Sequence, residues 1–116
     1  MKLEGTSTLL RIFLGEADQL HGKPVYEHIL LSAREAGLAG ATVLRGVAGF
    51  GAVSRIIHTA KVLRLSEDLP IIIEIVDTEE RIRGFIPKVD EFFEKSSGGG
   101  LVTLERVEII KYTHGK

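Results

Sequence analysis

The chain has 116 residues, 44% of them hydrophobic and 27% charged, with a formal net charge of −1 and no cysteine. That size fits a single domain over residues 1–116 with a modest core, and the near-neutral charge disfavours general nucleic-acid binding, which uses a broadly basic face. Lack of cysteine excludes a disulfide framework, a thiolate metal site and a thiol nucleophile. No apolar run reaches the roughly 18 residues of a membrane span, and residues 1–5 lack the apolar core of a signal peptide. A cytoplasmic protein without direct membrane insertion is therefore expected.

Residues 8–14 (TLLRIFL) have the length and apolar content of a strand, closed by the turn-prone Gly15-Glu16-Ala17-Asp18. From Pro24 the period changes. Val25, Ile29, Ala33 and Ala36 recur at helical spacing, Pro24 suits the first helical position and Gly37 the stop. Residues 40–47 (GATVLRGV) read as a second strand. Residues 49–69 combine helical spacing with β-branched residues and glycine, and are expected to form a long functional loop.

Residues 70–76 (PIIIEIV) are the clearest strand. Asp77 or Thr78 then offers an N-cap, with acids in the following turn where the helix dipole favours them. Ile82, Phe85, Ile86, Val89, Phe92 and Phe93 form an apolar helical stripe. Pro87 removes the donor for the Arg83 carbonyl, which predicts a kink there. Ser96-Ser97-Gly98-Gly99-Gly100 ends the helix, and residues 101–111 return as a strand.

This order predicts an α+β, ferredoxin-like βαββαβ fold: a four-stranded antiparallel sheet with two helices on one face. Leu10, Ile12 and Leu14 alternate with Leu9 and Phe13, and Ile71, Ile73 and Ile75 with Ile72 and Val76. Both sheet faces are therefore apolar, yet two helices cover one. The second face is expected to be buried against copies of the same chain.

Charge is segregated as well. No acidic residue falls between Glu35 and Glu67, whereas Arg45, Arg55, Lys61, Arg64 and His58 do, threaded around Arg45-Gly46-Val47-Ala48-Gly49-Phe50-Gly51. Glycine segments with nearby cations suit an anion, because bare backbone N–H groups can approach it. Gly98, Gly99 and Gly100 form a second such segment, which the fold would place at the same end of the sheet. Neither cluster is a nucleotide-binding signature by itself. A bulge, a helix-stop linker and a solvated basic surface fit the same residues. No His pair has metal-ligand spacing, and no catalytic constellation stands out.

These residues resemble the PII signalling proteins in element order, in Gly37-Leu38-Ala39-Gly40-Ala41-Thr42-Val43 leading to Gly49-Phe50-Gly51, and in the glycine-rich entry to the last strand. The fuller resemblance is to the PII-like family of uncharacterised proteins, through His21-Gly22-Lys23-Pro24, the Arg45 to Gly51 motif and Leu65-Ser66-Glu67-Asp68-Leu69-Pro70. It implies a homotrimer that binds an adenine nucleotide (ATP, ADP or AMP) or a similar phosphorylated ligand between subunits. The loop after the second strand would signal to a target protein; regulators of this type often act on membrane transporters or enzymes.

Carried onto this chain, the resemblance makes Gly49, Phe50 and Gly51 the base of the loop, and Gly98, Gly99 and Gly100 a second phosphate loop. Gly40, Ala41, Thr42 and Lys111, on the last strand, would come from the neighbouring subunit. Leu101 and Ile109 stand where PII proteins place a phosphate-binding lysine and an arginine, so Arg45, Arg55 or Lys61 would have to replace that charge. No cofactor is required. Two other classes share the architecture: small-molecule or metal-binding trimers of the copper-tolerance type, and acylphosphatases. The first is poorly served by a chain with no Cys and one Met; the second uses an asparagine, and this chain has none.

Overall fold

The computed structural model describes residues 5–50, 69–96 and 98–115. Strand β1 (Gly5–Gly15) leads into a small hairpin, β2 (Gln19–Leu20) and β3 (Lys23–Pro24), then helix α1 (Val25–Glu35). Strand β4 (Thr42–Arg45), strand β5 (Pro70–Asp77), helix α2 (Glu79–Ser96) and strand β6 (Leu101–Ile109) follow. The main sheet has the order β4-β5-β1-β6, antiparallel throughout. That is the ferredoxin-like arrangement expected of the sequence.

Local chemistry accounts for most boundaries. His21 and Gly22 both have positive φ, at 53° and 80°, as a two-residue hairpin turn demands, so His21 serves a turn. Pro24 is the residue before α1 and not its first turn. Gly37, at φ 75°, ends α1. Its N–H donates to Arg34 O, and that of Leu38 to Ala33 O, the paired bonds of a Schellman cap. Thr78 caps α2: its Oγ1 accepts from Arg81 N at 3.3 Å. The helix continues through Pro87 to Ser96.

The core lies between the two helices and one sheet face. Leu10, Ile12, Leu14, Ile71, Ile73 and Ile75 from the sheet meet Val25, Ile29 and Ala33 from α1, and Ile82, Phe85, Val89 and Phe92 from α2. Ile86 and Phe93 pack at its margin. Ala36, assigned to the buried stripe by spacing, is exposed because the helix has already reached its cap there. Two strands are shorter than expected: β4 spans Thr42–Arg45, so Gly40 and Ala41 precede it, and β6 stops at Ile109, which puts Lys111 beyond the strand.

Candidate functional site

The register places both glycine segments at one end of the sheet. Arg45 lies opposite Ile71, Gly15 opposite Pro70 and Phe13 opposite Leu101, and Gly46 N donates to Pro70 O at 2.7 Å. The segments leave from opposite edges, however, with β5 and β1 between them. Three strand spacings put them about 14 Å apart.

Several of these glycines are needed for packing. A Cβ on Gly100 would lie 2.3 Å from Phe13 O and 2.9 Å from the Phe93 ring. One on Gly46 would meet Pro70 Cγ at 2.9 Å, and one on Gly49 the same atom at 3.2 Å. One on Gly98 would lie 3.1 Å from Asp18 Oδ2. Val47, between the packed glycines, is 80% exposed and Phe50, just after them, 74% exposed, so both large apolar residues face solvent.

The Gly15–Asp18 turn fills the gap between the two segments. Toward β4, Glu16 N donates to Leu69 O at 2.8 Å, and Arg45 Nη2 donates to the Glu16 carboxylate. Toward β6, Asp18 accepts from Gly15 N at 3.2 Å, and its carboxylate lies where a Cβ on Gly98 would meet it. Arg45, the arginine of the acid-free stretch among the described residues, thus has a carboxylate partner from outside that stretch. Composition counted charge along the chain, and the fold brings in an acid from outside the stretch.

The opposite end of the sheet is tied together by Asp77, which is fully buried. Its carboxylate accepts from Ala39 N at 2.9 Å and Thr78 N at 2.7 Å. Arg81 Nε lies 3.3 Å from Asp77 Oδ1, an ion pair without hydrogen-bond geometry, and Arg81 Nη2 donates to Gly37 O. Tyr112 then donates to Ala39 O at 3.0 Å. That bond carries the segment after β6 back to the loop holding Gly40 and Ala41, just before Thr42 opens β4, so Lys111 is drawn to the same end. Among the described residues, apart from its chain neighbours, nothing lies within 4 Å of a Cβ built on Gly40. A groove of about 350 Å³ opens beside it, lined by Leu30, Leu31, Arg34, Leu38 and Ala41 among others.

On the face away from the helices, Leu9, Phe13, Ile72 and Val76 are joined by Leu44 and Leu101, which are exposed to solvent at 44% and 57%. Across them Arg11 Nε donates to Glu74 at 2.8 Å and Nη1 to Glu105 at 2.7 Å. The hydrogen bond to Glu74, then the charge of Glu105, hold the Arg11 guanidinium above its usual pKa.

The residues singled out in the sequence fall into two groups. Arg45, Gly46, Gly49, Phe50, Gly98, Gly99 and Gly100 belong to one end; Gly40, Ala41, Thr42 and Lys111 belong to the other. Gly51, Arg55 and His58 lie outside the described residues, as does most of the 49–69 loop. Glu16, Asp18 and Tyr112 carry no sequence signal for their contacts, which arise only from strand register. Among the described residues no group of three or more His, Asp or Glu side chains is placed to hold a metal ion, and no helix is long and apolar enough to cross a membrane.

The sequence profile of the DUF190 family, described as an uncharacterized ACR, matches residues 7–109. A UPF0166 protein of Aquifex aeolicus (strain VF5) is 43% identical over 102 residues, covering 88% of this chain and 91% of the relative. The UPF0166 protein MJ1524 of Methanocaldococcus jannaschii is 36% identical over 103 residues, covering 89% and 91%. Among solved structures, CPII from Thiomonas intermedia K12, bound to ADP and bicarbonate, superposes with a TM-score of 0.66 at 20% identity, over 91% of this chain and 90% of that one. A putative PII-like signaling protein from Thermus thermophilus gives 0.62 at 17% identity, over 95% and 94%. The chain has the PII-like form of the ferredoxin-like fold.

Proposed function

The chain belongs to the DUF190 family, and from that premise we propose that it is a non-enzymatic PII-like regulator. It assembles as a trimer, binds an adenine nucleotide or related phosphorylated ligand in the clefts between subunits, and reports the bound state through residues 49–69. The supporting observation is the division of the candidate residues between the two ends of the sheet. Eight residues of β5 separate those ends by roughly 23 Å, so one chain cannot close both groups on one ligand. A neighbouring copy can bring its Gly40, Ala41, Thr42 and Lys111 to the glycine segments of the first. The apolar sheet face with exposed Leu44 and Leu101 supports such an assembly, since a patch of that kind is stabilised by burial. CPII, the similar fold, has been crystallised with ADP, AMP and bicarbonate.

Calorimetry of the assembled protein against ATP, ADP, AMP and cyclic nucleotides, with light scattering for its mass, tests the reading. Saturable binding at one site per chain in a trimer is expected. A monomer, or no heat with millimolar nucleotide, overturns it. The partner of residues 49–69 would be a separate protein, with a membrane transporter among the targets to try.

A further inference from the structure

We propose that Glu16 is an intramolecular competitor for Arg45, occupying the arginine that an incoming phosphate would use. The inference rests on the anion-binding reading of the glycine segments. Arg45 is the last residue of β4, immediately before Gly46, and its side chain is 60% exposed. Glu16 is the opposite kind of partner. Its side chain is only 17% exposed, and its backbone N–H is fixed to Leu69 O at 2.8 Å. The carboxylate therefore stays where it is, and the arginine is the member able to turn outward.

Two costs follow when an anion takes Arg45. The ion pair with Glu16 is given up, and a largely covered carboxylate is left beside new negative charge. Glu16 takes Nη2 of the guanidinium, so a phosphate whose two-pronged grip on Arg45 needs that nitrogen competes with Glu16 for it. Glu16 thus lowers affinity for any ligand whose phosphate needs Arg45, and leaves contacts to the rest of the ligand alone. It lies at the junction between the two glycine segments, where Asp18 of the same turn occupies the space that a side chain on Gly98 would enter.

The test is a double-mutant cycle read by calorimetry with inorganic tripolyphosphate, run beside ATP on the full-length protein. Glu16→Gln should tighten tripolyphosphate binding about two- to fivefold, the range of a partly exposed ion pair. Arg45→Gln should weaken it, and adding Glu16→Gln to Arg45→Gln should change nothing further. An equal gain in both backgrounds means that Glu16 acts only as diffuse negative charge, and overturns the proposal. So does no gain with Arg45 present, or no binding by any variant. Should Glu16→Gln fail to fold, Glu16→Asp withdraws the carboxylate by one methylene and should give a smaller gain that again requires Arg45. If tripolyphosphate shows the coupling while ATP does not bind, the nucleotide reading fails and the competition stands. If ATP binds without the coupling, the reverse holds.

Discussion

The two ends of the sheet are built on different principles. At the Asp77 end, one buried carboxylate satisfies the Ala39 and Thr78 amides and faces Arg81, and Tyr112 closes over the same loop. These hydrogen bonds tie three chain segments together and fix the backbone there, while Arg81 Nε meets Asp77 as an ion pair only. At the Pro70 end, glycines press against Pro70, Phe13 and Asp18 while Val47 and Phe50 project into solvent. There, contacts fix the backbone and leave the side chains open. A scaffold that is closed at one end and open at the other can expose backbone amides without losing its register.

Removing the closure should have the largest effect. Asp77→Ala removes the acceptor of two part-buried amides and the charge partner of Arg81, and should lower unfolding free energy by about 3 kcal/mol in chemical denaturation. A loss below roughly 1 kcal/mol would mean that water replaces the carboxylate, and the contrast between ends would dissolve. Next comes the packed glycine. Gly100→Ala drives a Cβ into Phe13 O and should cost about 2 kcal/mol. Gly40→Ala meets no other part of the described residues and should stay within about 0.5 kcal/mol, so any loss of nucleotide binding by that variant would read a ligand contact.

Tyr112→Phe sharpens the comparison by a smaller step. It removes the hydrogen bond to Ala39 O, and a loss of about 1 kcal/mol in the same denaturation experiment is expected. The smallest effect belongs to α2, outside both ends. Arg83 holds Glu79 below its ordinary pKa, and Lys95 with Lys88 does so for Glu91, in each case first by a hydrogen bond. A carboxylate with a depressed folded pKa stabilises above its unfolded value, near 4.5, and that contribution fades as pH falls through the lower folded value. Glu91→Gln should therefore lower the melting temperature slightly at pH 7 and change nothing once both forms are protonated. An equal difference at all pH values would assign the effect to packing.

Much of this was legible in the chain alone. Alternation in residues 8–14 and 70–76 specified two strands with two apolar faces, because side chains on a strand point alternately to either side. Gly37 and Thr78 marked helix ends, because a left-handed cap and an N-cap oxygen are local requirements. The glycine segments were visible for the same reason, and their shared end of the sheet followed from the order of elements.

What the chain could not disclose depends on register between distant strands. The Glu16–Arg45 pair spans 29 positions and the Arg81–Gly37 bond 44, and no local propensity encodes either. The charge pattern showed no acid near Arg45 along the chain; folding brought Glu16 to it from the turn after β1. Asp77 could be read as a helix cap, but its grip on Ala39 depends on β5 ending beside the loop that leaves α1. The sequence by itself determined which elements form and which side chains are apolar, through period and backbone stereochemistry. Only the tertiary structure decided which charges meet, because electrostatic and hydrogen-bond partners are set by proximity in space.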